Sequence, residues 1–178
     1  RLLRFAEPRS AAVEDDLDAR FRLESVRSVL PEDALFGNMM FPGKMLMDID
    51  EAGGILSMRY SRGLVMTACL DALDFYEPIF SHEVVTFQAA LNHVGTSSLE
   101  VGVRVFAELP WSGEVRHACT AYLTFVHLGT DLRSTPCRPF TPETPGERAR
   151  FEAAILRRDR RITRVKQLHA ASQNEQRG

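Results

Sequence analysis

Hydrophobic and polar residues alternate along several segments of this chain in the pattern of half-buried β-strands. The first such segment covers residues 20–30, where Phe21 and Leu23 share one side. Four further segments read LVMTACLDALDF, EVVTFQAALNHV, SSLEVGVRVFAEL and GEVRHACTAYLTFVHL, and Leu99 and Val101 show the alternation in the third of them. Their short connections favour antiparallel neighbours, because parallel strands need long crossovers.

A helical pattern separates the first strand from the other four, at residues 43–60. Met45 and Ile49 start a series of apolar residues at helical spacing, and apolar residues fill much of the remaining circumference, which predicts a buried helix. The Gly53-Gly54 pair indicates that something packs against the helix backbone, because each glycine otherwise costs ~1 kcal/mol relative to alanine. The element order predicts an α+β fold, with an antiparallel β-sheet wrapped around a long central helix.

The end of the chain predicts an additional C-terminal helix, which starts with the capping box TPGE at 144–147. One face of this helix carries Phe151, Ile155, Ile162 and Val165, and the other carries Arg157, Arg158, Arg160, Arg161, Arg164 and Lys166. The basic face is either a solvated surface or an attraction for the phosphates of a nucleotide-like ligand. The chain then divides into an N-terminal arm at 1–18, a main domain at 19–140 and the basic helix at 141–178.

The composition is that of one ordinary globular domain, with 178 residues, 44% hydrophobic and 26% charged. A formal net charge of -2 argues against a dedicated nucleic-acid-binding protein. No apolar stretch approaches the ~20 residues of a membrane span, and no secretory signal precedes the first strand. Because the first residue is not Met, a cleaved organelle presequence or a preceding domain stays open.

The cysteines and histidines form no metal or disulfide pattern. Three cysteines without a CxxC pair fit reduced thiols in the cytoplasm, or in the mitochondrial matrix of a eukaryote. Cys69 and Cys119 are expected to be buried core thiols. The histidines lack metal-ligand spacing, so His93, His117 and His127 are expected to be structural, and no metal is predicted.

The start of the buried helix, FPGKMLMDIDEAGG, is the candidate site, because helix N-terminal N–H groups and the macrodipole favour negative charge. Of its three acidic residues, only Asp50 shares a stripe with Gly53. Asp48 and Glu51 are expected to face solvent or to pair with a basic residue of the same helix. Asp50 is therefore either a working carboxylate or a structural hydrogen-bond acceptor.

Residues 29–128 resemble the acyl-CoA thioesterases of the hotdog superfamily. Four blocks carry the resemblance in the family's order and spacing: PEDALFGNMMFPGKMLMDIDEAG, VMTACLDALDFYEPI, VGTSSLEVGVRVFAE and CTAYLTFVHL. The resemblance implies the hotdog fold, hydrolysis of acyl-CoA to a free acid and CoA, and no metal or other cofactor. It also implies a homodimer or a trimer of dimers, with active sites at the dimer interface.

The resemblance also implies roles for individual residues. The family's acidic residue falls on Asp50, which would hold the attacking water or attack the thioester directly. The glycine whose N–H polarises the thioester carbonyl falls on Gly43. The family's turn near the CoA phosphates falls on Gly95, Thr96, Ser97 and Ser98.

Three positions depart from the family pattern, one of them Thr96, where the family often has a basic residue. A family asparagine is replaced by Leu35, for which the nearby Asn38 is the candidate substitute, and the first glycine of a pair is Pro42, which has no N–H. These departures keep a second hypothesis open, a non-catalytic acyl-CoA-binding subunit or sensor. A third, another hotdog enzyme such as a dehydratase, would require a histidine paired with the acidic residue at the helix, and none lies there.

Overall fold

Five β-strands and two long α-helices make up residues 18–175, which the computed structural model describes, with side chains to residue 168. The strands are β1 (Arg22–Ser28), β2 (Leu64–Phe75), β3 (Val84–Val94), β4 (Ser98–Leu109) and β5 (Glu114–Leu128), and the helices are α1 (Pro42–Ser61) and α2 (Pro145–Glu175). The predicted elements are confirmed, with boundaries within about two residues. The predicted N-terminal arm lies outside the described residues apart from Asp18.

The strands form one antiparallel sheet in the order β1-β3-β4-β5-β2. The two strands that flank α1 in the sequence are therefore the two edges of the sheet. Because the chain crosses between those edges through α1, the helix lies against one face, with contacts to all five strands. This is the predicted hotdog arrangement of a long helix held by an antiparallel sheet.

The inner face of the sheet packs against α1 through apolar side chains. Ile49, Leu56 and Phe125 are almost completely buried there, and each such side chain contributes roughly 1.5–3 kcal/mol. A Cβ on Gly53 would lie 2.9 Å from the Phe125 ring, which confirms the predicted close approach to the helix backbone. At Gly54 the nearest atom is 3.7 Å away, an ordinary contact, so only Gly53 requires the missing side chain.

The outer face of the sheet is polar, and α2 crosses it from the β1 side to β2. Its arginines face the sheet: Arg157 pairs with the buried Glu100 at 2.7 Å, and Arg161 pairs with Asp71. The interpretation of the basic face as solvated is therefore wrong for these two residues. Ile162 and Val165 were expected on the packing face but are 36% and 41% exposed. The cause is that acidic residues of the strands pair with the arginines of α2 and turn its basic side toward the sheet.

The start of α2 confirms the predicted capping box. The Glu147 N–H donates to Thr144 Oγ1 at 3.1 Å, and the Glu147 carboxylate accepts the N–H groups of Glu143 and Arg20 at 2.8 and 2.9 Å. Burial alone would raise the pKa of Glu147, but the Arg20 guanidinium and these N–H donors lower it to about 2. The cap therefore ties α2 to the segment that precedes β1.

Two of the cysteines differ in environment. Cys119 is fully buried as predicted, and burial raises the pKa of its thiol to about 11. The prediction of a buried Cys69 is wrong, because β2 is an edge strand and leaves its thiol half-buried. Within the described part of the chain, no helix has the length and apolar character needed to span a membrane.

Candidate active site

The start of α1 is positioned by the loop before it. The Met40 N–H donates to Ile79 O at 2.7 Å, and the Phe41 N–H donates to Asp33 O at 2.8 Å. Pro42 then begins the helix, where its missing N–H costs nothing. Gly43 follows, and as a first-turn N–H its amide has no acceptor inside the helix. A donor thus stands at the positive end of α1.

Asn38, the candidate substitute for the lost family asparagine, lies on the same loop. It adopts the left-handed conformation with a φ of 59°, its carbonyl accepts the Ser81 N–H at 2.8 Å, and its side chain is exposed. Leu35 is also exposed, at 54%. Neither side chain contacts Asp50 among the residues that the structure describes.

Asp50 meets Thr67 across the boundary between α1 and β2. The Thr67 hydroxyl donates to Asp50 Oδ1 at 2.6 Å. Thr67 pairs with Phe125 in the sheet and so faces α1, and a β-bulge follows before Cys69, which pairs with Thr124 on the outer face. The bulge therefore shifts the alternation of β2, so that Thr67 before it faces α1 and Cys69 after it faces outward.

Asp48 is held on the opposite flank of α1. Arg27 of β1 contacts Asp48 Oδ2 at 2.8 Å and Asp33 Oδ2 at 2.5 Å, so one guanidinium holds two carboxylates. The hydrogen bond from Arg27 lowers the pKa of Asp33. The sequence predicted that Asp48 would face solvent or pair with a basic residue of its own helix. Its partner is instead Arg27 on β1. Glu51 is exposed and lines a groove beside β1.

An apolar cavity of about 280 Å³ opens beside the N-terminus of α1. Met39, Met40, Pro42 and Met45 form one wall, and the segment from Phe75 to Ile79 forms the other. Methionine side chains adapt to irregular apolar shapes, which suits a flexible aliphatic ligand.

The Gly95–Ser98 turn connects β3 and β4, and the Gly95 N–H donates to Ser98 O at 2.8 Å. The next residue, Leu99, lies in one row with Phe125 and Thr67 across three neighbouring strands. Two strand spacings put the turn about 10 Å from Thr67. Thr96 is exposed, so the turn is accessible from solvent.

The predicted residues thus fall into two groups. Asn38 and Gly43 lie at the start of α1, whereas Asp50 lies seven residues along the helix, about 10 Å from Gly43 at 1.5 Å per residue. The sequence reasoning missed Thr67, although it belongs to the block VMTACLDALDFYEPI that carries the family resemblance. Residues 18–168 contain no group of three or more histidine, cysteine or acidic residues suited to a metal.

The chain is similar to several known proteins. A family model described as the thioesterase superfamily matches residues 37–110. An acyl-CoA thioester hydrolase of Bacillus subtilis is 34% identical over 142 residues, which cover 80% of this chain and 83% of that protein. The cytosolic acyl coenzyme A thioester hydrolase of Homo sapiens is 30% identical over 71% of this chain, but only 34% of its own length is covered.

Solved structures share the fold. An acyl-CoA hydrolase from Staphylococcus aureus, solved with butyryl coenzyme A, coenzyme A and coenzyme A disulfide, is 29% identical with a TM-score of 0.78, over 84% of this chain and 92% of that one. Variants of that protein with a single aspartate, asparagine or threonine changed to alanine have also been solved. A hexameric acyl-CoA thioesterase is 29% identical with a TM-score of 0.78, over 82% of this chain and 94% of that one.

Proposed function

The chain belongs to the acyl-CoA thioester hydrolase family and hydrolyses acyl-CoA thioesters to a free acid and coenzyme A, and we propose that Asp50 supplies the carboxylate for this reaction. The observation that carries the proposal is the 2.6 Å contact between Asp50 and Thr67. The aspartate and the threonine replaced in the Staphylococcus aureus variants are 17 residues apart, the same separation as Asp50 and Thr67.

Asp50 acts as a general base in the proposed mechanism. One carboxylate oxygen accepts the Thr67 hydroxyl, which fixes the orientation of the carboxylate and leaves the other oxygen for a water molecule. As that water attacks the thioester carbon, its proton passes to Asp50. The carbon–sulfur bond then breaks, and the departing CoA thiolate takes the proton back, so that the products are the acid and the thiol.

Gly43 stabilises the oxyanion in this mechanism. Negative charge develops on the carbonyl oxygen during the attack, and the Gly43 N–H at the positive end of the α1 dipole offers a hydrogen bond to it. A Cβ at this position would lie 2.6 Å from the Phe41 ring, so glycine also leaves room for that ring beside the amide.

Gly43 and Asp50 of one chain do not reach the same thioester, because about 10 Å of helix separates them, whereas each must come within about 3 Å of the reacting group. We therefore propose that each site combines Gly43 of one copy with Asp50 of another. Exposed apolar side chains on α1 and on the edge strand β2 suit a contact between copies: Met47 and Met58 on the helix, and Leu64, Met66 and Phe75 on the strand. A homodimer, alone or in a trimer of dimers, is the assembly that follows.

The acyl chain and the CoA phosphates are assigned to different surfaces. The apolar cavity beside Gly43 receives the acyl chain, since a thioester on the Gly43 amide has that cavity next to it. The Gly95–Ser98 turn, about 10 Å from Thr67, is proposed to lie near the CoA phosphates. A cytoplasmic or mitochondrial-matrix location is part of the same proposal.

Leu35 raises the alternative of a subunit that binds acyl-CoA without hydrolysing it. The asparagine replaced in the Staphylococcus aureus variants precedes the aspartate by 15 residues, and Leu35 stands 15 residues before Asp50. The test combines two measurements. Acyl-CoA turnover is monitored through the release of free CoA thiol, and binding is measured with a non-hydrolysable acyl-CoA analogue. Thiol release at turnover rates supports the hydrolase, whereas tight binding without release would establish the binding subunit.

A further inference from the structure

A cationic cavity of about 300 Å³ lies on the outer face of the sheet, between α2 and β2. Its walls are Asp71 and Ala72 of β2 and four arginines of α2, Arg157, Arg160, Arg161 and Arg164. The arginines are spaced at three and four residues, so they form one stripe along the helix. Arg157 and Arg161 of this stripe face the sheet, whereas Arg160 and Arg164 are exposed at its solvent edge.

The carboxylates near this cavity neutralise only half of its arginines. Arg157 pairs with Glu100 and Arg161 pairs with Asp71, and the side chains of both arginines are less than 20% exposed. Arg160 and Arg164 have no carboxylate partner in the part of the chain that the structure describes. Among the described residues, Arg164 donates a hydrogen bond to the Cys69 sulfur, at 3.7 Å. Two positive charges of the cavity are thus uncompensated.

The clustering of these charges opposes folding of the helix. Arg160 and Arg164, neither of which has a carboxylate partner among the described residues, are a like-charged pair four residues apart, which is unfavourable in a helix. Burial lowers the pKa of His93 on β3, and the positive charges of Arg158 and Arg161 lower it further. The positive field of α2 therefore reaches a neighbouring strand. An anion in the cavity would relieve this repulsion.

We propose that this cavity binds a phosphate group of a soluble ligand. Guanidinium groups match phosphate oxygens in geometry and stay charged at all physiological pH values. Thr124 Oγ1 and Asp71 hold Arg161 against the sheet, so part of the site is preorganised. The phosphate belongs either to the nucleotide end of acyl-CoA or to a separate nucleotide. The assignment to acyl-CoA rests on the function proposed above. The assignment to a separate nucleotide does not, because the cavity lies on the opposite face of the sheet from Asp50.

The test is calorimetric titration of the whole protein with pyrophosphate and with adenosine 3′,5′-bisphosphate at low salt. Arg160→Gln with Arg164→Gln removes the two unpaired charges and leaves both ion pairs intact. We expect at least about tenfold weaker binding, since the double variant removes the guanidinium groups that are free to form charge-assisted hydrogen bonds with the phosphate. The matched control is Arg158→Gln with Lys166→Gln, which removes two positive charges from α2 outside the cavity and should change affinity less than about twofold.

Kinetics separate the two sources of phosphate. If the phosphate is that of acyl-CoA, the double variant raises KM for acyl-CoA and leaves KM for an acyl-pantetheine thioester unchanged. If it belongs to a separate nucleotide, the bisphosphate binds without displacing a non-hydrolysable acyl-CoA analogue. No saturable binding by the parent, or equal loss in both double variants, would overturn the proposal. A parent protein that binds the anions but does not hydrolyse acyl-CoA would instead contradict the proposed function and leave this site standing.

Discussion

The two flanks of α1 place acidic residues in opposite situations. On the β1 flank, Asp48 shares the Arg27 guanidinium with the buried Asp33. On the β2 flank, only two residues further along, Asp50 meets a single neutral donor, Thr67, at an edge strand. Sequence spacing alone makes the two residues near neighbours, but the helix turns about 200° between them.

The difference separates a structural carboxylate from one available for chemistry. The Asp48 carboxylate is already engaged in an ion pair with Arg27. The Thr67 hydroxyl fixes the orientation of Asp50 through one oxygen and leaves the other oxygen for a water molecule. The β1 flank therefore stabilises the fold, and the β2 flank is where we place the reaction.

The largest expected effect is that of Asp50→Asn on turnover. The amide keeps the size of the side chain and can still accept the Thr67 hydroxyl, but it no longer takes a proton from water. We expect kcat to fall at least about a hundredfold, within the usual range for the loss of a general base, with acyl-CoA binding retained. Asp48→Asn and Glu51→Gln are the matched controls and should stay within a few-fold of the parent. Equal losses in all three variants would indicate damage to α1 instead.

Arg27→Met should give the largest loss of stability with turnover preserved. The change leaves the carboxylate of Asp33 buried without its cation, and breaking such a pair costs roughly 2–3 kcal/mol after allowance for the partial exposure of Arg27. Urea unfolding measures the difference. An unchanged midpoint together with a large loss of turnover would place the working carboxylate on the β1 flank.

The same variant carries a pH signature. Because the folded state lowers the pKa of Asp33, this pair contributes stability above the unfolded pKa of about 3.8 and loses it as the pH falls further. The parent should therefore be more stable than Arg27→Met at neutral pH, and the gap should close below about pH 4. A gap that widened in acid would contradict the assignment.

Thr67→Val should have an intermediate effect on turnover. Valine keeps the shape and the strand preference but removes the donor that orients Asp50, and the loss of one hydrogen bond to a charged group corresponds to about tenfold in kcat. Thr67→Ser restores the hydroxyl and should recover most of the activity. If serine and valine behaved alike, the hydroxyl would have no role.

The smallest expected effect is that of Leu35→Asn. The change restores a polar side chain where the family pattern has one, at an exposed position where the substitution costs little stability. We expect kcat to rise by a few-fold, measured by thiol release at saturating acyl-CoA. A fall in kcat would show that Leu35 is adapted to this enzyme.

The fold could be predicted largely from the sequence, and the pairing of side chains only in part. Alternation along β4 and the apolar circumference of α1 reflect burial directly, and Gly53 signalled the contact with Phe125. The orientation of α2 could not be predicted in this way, because its arginines suit solvent as well as acidic strand residues. Asp71 and Glu100, which decide the matter, lie 90 and 57 residues away from Arg161 and Arg157.

The candidate site shows the same limit. The family resemblance and the helical stripe both pointed to Asp50, but neither named Thr67, because a β-bulge sets which β2 side chains face α1. Likewise, the pairing of Arg27 with Asp48 depends on β1 lying beside α1, and helical spacing gives no information about that neighbour. Long-range contacts between an edge strand and the helix are the part that required the structure.

The most direct test of a site shared between two copies is complementation between two inactive variants. Gly43→Pro removes the proposed oxyanion donor without breaking a hydrogen bond inside α1, the half-exposed Phe41 ring can rotate away from the added Cβ, and the loss should be about 10²–10³-fold. When equal amounts of Gly43→Pro and Asp50→Asn are refolded together, half of the dimers contain one copy of each variant. One of the two sites in such a dimer has both groups intact. We predict recovery of about a quarter of the parent turnover. Mixed dimers without any recovery would contradict the shared site, since Gly43 and Asp50 would then have to act within one chain.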